Sequence, residues 1–171
     1  MFMDLLQRRR SIRKYTDQAV EPEKIQMLIE AALRSPSGRG INPWEFIVVE
    51  DLRILSKLAE AKQSGAAFLK GAPLGIVVCA NPEKSDTFVE DASIASIIIQ
   101  LAAESMGLGS CWIQMRNRFH RDGRPAQEHI AQSLDIPEHC IVQSVIAIGY
   151  PAETKAPHPR ENLNFEKVHK R

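Results

Sequence analysis

"ASIASIIIQLAAESMGLGSCWI", residues 92–113, is the most apolar stretch of the chain, and its reading decides the fold. From about Glu90 to Met106 it is hydrophobic nearly all round, which marks a helix running through a core. A membrane span needs about 20 predominantly apolar residues. Here Gln100 and Glu104 interrupt the run and glycines soon follow, so the helix is expected inside protein, not lipid. Gly107 and Gly109 end it, and "SCWIQ" (110–114) begins a strand.

Working outward, "EFIVVE" (45–50), "LGIVVCA" (74–80) and "CIVQSVIAIGY" (140–150) read as three more strands. Between them, Pro22 opens a helix in which Ile25, Leu28, Ile29, Ala32 and Leu33 recur at helical spacing. It stops near Ser35, because Pro36 disfavours helix in the residue before it. Asp4 is expected to cap a short first helix, and Asp51 one carrying Leu52, Leu55, Leu58 and Ala59. A modest helix is expected from Pro125 to Leu134. Residues 35–44, "SPSGRGINPW", form a loop. The pattern is α+β: a sheet of about four strands with helices packed on it. No repeat or linker divides residues 1–171, so one domain is expected, with 150–171 as an extended arm.

The chain has 171 residues, 44% hydrophobic and 25% charged, which is enough for a real core. Its 22 basic and 21 acidic residues nearly cancel, leaving a formal charge of +1. A nucleic-acid binder carries a basic excess over a whole face, so that class is set aside. Cys79, Cys111 and Cys140 are an odd number without a CxxC pair, and the histidines show no ligand spacing. No metal and no membrane partner are expected. Reduced thiols and the absence of a signal-peptide pattern fit a soluble cytoplasmic protein.

Against that neutral balance stands "RRRSIRKY" (8–15), with five cations in eight positions. A solvated helix end and a phosphate cradle explain it about equally well from these residues alone. "GLGSCW" (107–112) lacks the third glycine of a dinucleotide fingerprint, since Trp112 stands there, and its glycines follow a helix. "HRD" (120–122) has no accompanying kinase motif. "PSGRGINPW" (36–44) suits close backbone approach to a flat ligand beside an aromatic wall.

Taken in order, these stretches resemble the FMN-dependent nitroreductase family. "RRSIRKY" (9–15) is similar to its flavin-phosphate motif, and "SPSGRGINPWEFIVV" (35–49) to its P-S-x-x-x-x-Q/N-P-W segment. "AAESMGLGSCWI" (102–113) is similar to its helix-to-strand passage, and "AIGYPAETKAPHPR" (147–160) to its last strand and Pro-rich tail. The resemblance implies a three-layer sandwich with a mainly antiparallel sheet, forming an obligate homodimer with FMN in the interface. Its C-terminal arm would cross to the partner subunit.

On that resemblance Arg9, Arg10 and Ser11 lie along the flavin phosphate, Arg160 approaches it, and His158 stands where a lysine is common. Arg13 faces the pyrimidine edge. Pro36, Ser37 and Gly38 reach the flavin of the other subunit, with Asn42 in the same segment. Trp112, Ile113, Gln114 and Met115 line the ring, with a backbone N–H near Gln114 donating to flavin N5. No side chain is expected to be catalytic, because flavin carries the hydride chemistry. The implied activity is NADH- or NADPH-driven reduction of nitroaromatics, quinones or similar acceptors in a ping-pong cycle. A flavin-storage or sensing module, or reductive dehalogenation on the same scaffold, are the rival expectations. Gly40, Asn42, Gln114 and His158 depart from commoner family residues, and the short, polar 115–139 segment implies an open acceptor site.

Overall fold

The computed structural model describes all of residues 1–171. Five helices and four strands follow in the order α1 (Phe2–Arg8), α2 (Pro22–Leu33), β1 (Trp44–Val49), α3 (Leu52–Ala59), β2 (Leu74–Ala80), α4 (Phe88–Ser105), β3 (Gly109–Gln114), α5 (Ala126–Leu134) and β4 (Ile141–Gly149). The strands form one antiparallel sheet in the order β1-β2-β4-β3. β2 and β4 are central and almost entirely buried, which is why their sequences are continuous apolar runs.

Each face of the sheet carries its own core. On one side α2 and α4 cover Leu74, Ile76, Val78, Ile146 and Ile148. On the other, α3 and α5 cover Val77, Cys79, Val142, Val145 and Ala147. The result is the expected α+β three-layer arrangement.

Two local expectations are corrected, and one turn was not foreseen. α1 starts at Phe2, so Asp4 is not the N-cap residue; it caps from inside the first turn, accepting from the Met1 amine at 2.6 Å as the far member of a capping box. A 3-10 turn at Ala67–Gly71, which buries Leu69, had no periodic signature. α4 does not run through the core: it lies on one sheet face. Its inner stripe is mostly small (Ala92, Ala95, Ser96, Ile99, Ala103), so it sits close to the strands. Ile94 and Ile97 point outward and are each 37% exposed. The other boundaries agree to within two residues, and Asp51 does cap α3, accepting from Arg53 N–H at 2.8 Å. No helix is long and apolar enough to cross a membrane.

Candidate functional site

The basic octet is not a helix end. α1 stops at Arg8, and the chain then runs extended along the free edge of β3. Ile12 N–H donates to Ser110 O at 3.0 Å, and Ser11 and Ser110 form a parallel bridge. Gly109 permits the approach, because a Cβ there would lie 2.9 Å from Ile12 Cβ and Cγ2. The Tyr15 hydroxyl, pushed far above its ordinary pKa by burial, donates to Ile12 O at 2.5 Å. Thr16 N–H donates to Tyr150 O and Ala152 N–H to Lys14 O, both at 2.9 Å.

The chain just after β4 closes over this segment as a strap. Arg13 N–H donates to Glu153 Oε1 at 2.6 Å, Lys155 Nζ donates to Ser11 O at 2.6 Å, and Arg10 donates to Ala156 O. The Arg13 amide, and then Lys155, hold the Glu153 carboxyl below its usual range. From the far side Lys62 Nζ donates to Gln114 O at 3.1 Å. Burial, then the charge of Arg118, pushes the Lys62 amine down. Beneath them, burial raises the Cys111 thiol while Arg13, Lys155 and Lys62 all pull it down. Cations from three separate segments therefore converge on one position. Arg9, Arg10 and Arg13 take part in no ion pair, so their charge is available to an anion.

The free edge of β3 supplies the other half. Ser110 O and Gln114 O both accept from outside the sheet, whereas Met115 N–H donates to Gln143 O. Strand alternation then directs the backbone groups of Ser110, Trp112 and Gln114 outward. Trp112 Nε1 donates to Gln114 Oε1 at 3.0 Å, and Gln114 Nε2 to Arg116 O at 2.9 Å, which fixes both side chains.

A cation cluster beside an open strand edge suits a flat ligand with an anionic tail. The model of the nitroreductase family matches residues 6–67 and 60–150. An FMN-dependent nitroreductase from Clostridium difficile R20291 superposes with a TM-score of 0.96 and 46% identity, covering 98% of both chains. The chain belongs to the nitroreductase family. A putative NADH dehydrogenase/NAD(P)H nitroreductase from Archaeoglobus fulgidus is 36% identical over 98% of this chain and 96% of its own. An FMN reductase [NAD(P)H] from Bacillus subtilis is 28% identical over 94% of this chain and 71% of its own.

Not all residues expected at the site of this nitroreductase-family chain lie together. Arg9, Arg10, Ser11, Arg13, Trp112 and Gln114 gather at the β3 edge. Ile113 and Met115 do not offer side chains there: pairing with β4 turns them into the core, at 1% and 0% exposure, leaving only their backbone. Pro36, Ser37, Gly38 and Asn42 form a separate loop. Asn42 N–H donates to Ser37 Oγ at 2.8 Å, and Gly38 N–H donates at 2.8 Å to buried Asp91 at the start of α4. This loop leads into β1, the opposite edge of the sheet, at the end where β3 finishes. The octet meets β3 where that strand begins. Loop and octet thus occupy diagonally opposite corners, about 14 Å apart across the strands alone.

His158 and Arg160 lie on the exposed arm, where Arg160 stacks on Phe165 at 5.0 Å and touches none of the octet. The arm is anchored on its own chain as far as Ala156. Sequence reasoning missed Lys62, Lys155, Glu153 and Asp91. Each is a single polar residue in a polar neighbourhood, and only the tertiary fold gives it a partner.

Proposed function

We propose that the protein is an FMN-dependent NAD(P)H oxidoreductase that reduces nitroaromatics, quinones or similar electron-poor acceptors in a ping-pong cycle. The observation that carries this reading is the convergence of Arg13, Lys62 and Lys155 at the open edge of β3, in a member of a family whose relatives are named for FMN and NAD(P)H. The residues fit the cofactor chemically: guanidinium groups and a serine for a phosphate, cations for an electron-accepting ring edge, and free backbone groups for ring nitrogens and oxygens.

Arg9, Arg10 and Ser11 would hold the phosphate, and Lys155 keeps the Ser11 carbonyl fixed. Arg13 and Lys62 favour negative charge at the pyrimidine edge. The outward N–H of Gln114 would be free to donate to the flavin ring and orient its reacting atom. FMN, when bound, supplies the hydride chemistry itself. Because loop 36–42 lies at the opposite corner from the octet, it serves the site of a second copy, and the working unit is a homodimer. Exposed apolar side chains support this: Ile94 and Ile97 on α4, Phe2 and Met3 on α1, and Leu163 and Phe165 on the arm. In that dimer the arm brings His158 and Arg160 to the partner's phosphate.

Stepwise anaerobic reaction tests the cycle. The protein is treated with one equivalent of NADPH or NADH, freed of nucleotide by gel filtration, and then given nitroaromatic or quinone. Stoichiometric acceptor reduction without nucleotide supports the reading. Reduction only while nucleotide remains present contradicts the ping-pong order, and none under any condition contradicts the activity.

A further inference from the structure

Away from the β3 edge, four side chains of metal-binding type meet near the end of the sheet where β1 begins. Glu45 stands on β1, Cys79 on β2, and His139 and Cys140 just before β4. A glutamate oxygen, an imidazole nitrogen and the Cys140 sulfur lie within 4.8 Å of one another. His139 Nε2 is 3.5 Å from Glu45 Oε1. The Cys79 thiol donates to the Glu45 backbone carbonyl at 3.5 Å, and the Cys79 and Cys140 thiols are close enough to influence one another. In a tetrahedral zinc site with bonds of about 2.0–2.3 Å, the donor atoms stand roughly 3.3–3.8 Å apart. Glu45, His139 and Cys140 reach that geometry by small side-chain adjustments, and Cys79, which stands outside that 4.8 Å group, joins it by turning its thiol away from the Glu45 carbonyl.

Glu45 pairs with Cys79 in the strand register, so both face the α3 and α5 side of the sheet. The Glu45 side chain is half-exposed at the edge strand, and its one ion-pair partner is His139. The register also slips opposite Val78 and Cys79, where β4 carries the extra residue Gln143, a bulge next to the Cys140–Val142 segment. Access is provided by a cleft of about 650 Å³ beside α5, lined in part by Asp135, Ile136 and Cys140.

We propose that Glu45, Cys79, His139 and Cys140 form a four-ligand site for a thiophilic divalent cation of the zinc class. Two sulfurs and an imidazole select such an ion over magnesium or calcium. Cysteine ligates as thiolate, so binding through two thiols releases about two protons. Four protein ligands leave no open position, so the ion ties β1 to the start of β4 across β2 and has no place in the redox chemistry. The other imidazole–carboxylate cluster, His120, Asp122 and His129, is a poorer candidate. Arg124 already donates to the Asp122 carboxylate from N, Nε and Nη2, at 3.0, 2.9 and 2.8 Å.

The test uses the flavin-loaded protein, reduced with a phosphine and dialysed against Zn²⁺, with metal counted by mass spectrometry. Co²⁺ difference spectra are read to the red of flavin absorption and in the thiolate charge-transfer region. About one equivalent per chain is expected, with tetrahedral cobalt bands. His139→Ala and Cys140→Ala should each weaken binding by about tenfold or more, on the scale that even outer-shell changes reach. Cys79→Ala should roughly halve the charge-transfer band, and His120→Ala should change nothing. No retained metal, or uptake that survives His139→Ala and Cys140→Ala, overturns the site. An undiminished charge-transfer band in Cys79→Ala removes that ligand. His139 is exposed, so its variant remains informative even if a cysteine variant fails to fold.

Discussion

Replacing Gly109 with alanine tests whether the octet's seat on β3 builds the flavin site. The added Cβ would sit 2.9 Å from Ile12 Cβ and Cγ2 and 3.0 Å from Cγ1, whereas ordinary contacts begin near 3.4 Å. Residues 11–13 must therefore move away by about half an ångström, since Ile12 is branched at the contact and cannot swing clear. Overpacking of this kind costs about 1–3 kcal/mol. Stretching the 3.0 Å bond from Ile12 N–H to Ser110 O adds roughly 1 kcal/mol. The sum, about 2–4 kcal/mol, lowers the Tm of a flavin-free protein of this size by roughly 5–15 °C. If Arg9–Arg13 form the cradle, FMN affinity falls by about tenfold or more, equivalent to 1.4 kcal/mol. Differential scanning fluorimetry of the apoprotein and a fluorescence titration with FMN read the two effects separately. Gly71→Ala, where nothing lies within 4 Å of the new methyl, serves as control and should match the parent. A Gly109→Ala protein that melts lower yet binds FMN like the parent would refute the octet's role. Unchanged melting would refute the packing argument.

Lys62→Met should leave the fold intact and make the bound flavin's two-electron potential more negative by about 30 mV or more, read by equilibration with a reference dye; an unchanged potential would place Lys62 away from the ring. Glu153 behaves as a pH-dependent latch. Its folded pKa lies below the ordinary 4.5, so its contribution is complete above that pH and is lost as pH falls through the lowered value. Flavin retention should drop on acidification below about pH 4.5. Glu153→Gln should bind more weakly at neutral pH with a flatter acid profile, measured by flavin release on desalting.

The core strands were legible because their chemistry is local. Residues 74–80 form a continuous apolar run bounded by Asn81-Pro82, and the strand has those limits. The octet could be read as a phosphate cradle, but not as a segment lying against β3. That placement depends on Gly109 yielding space to Ile12, a contact between residues nearly a hundred positions apart. The side-chain directions of Ile113 and Met115 were likewise beyond reach, because pairing with β4 sets which alternate residues enter the core. For α4, hydrophobicity all round suggested full burial. The outward Ile94 and Ile97 show a second possibility, an apolar face left for another chain. Glu45 read simply as a strand residue, since nothing local reveals that His139 and Cys140 will stand beside it.

The central claim is a flavin site divided between two chains, and complementation tests it most directly. Arg13→Ala damages the octet. Gly38→Ala drives a methyl to 2.5 Å from Thr87 Oγ1 and displaces the loop at the other corner. Each homodimer alone should lose most of its FMN. Co-expressed, they form a mixed dimer in which one site joins the intact octet of one chain to the intact loop of the other. Isolated with two affinity tags, that dimer is predicted to hold one FMN and to be bleached by NADH or NADPH. A mixed dimer with no more flavin than its parents would contradict the divided site.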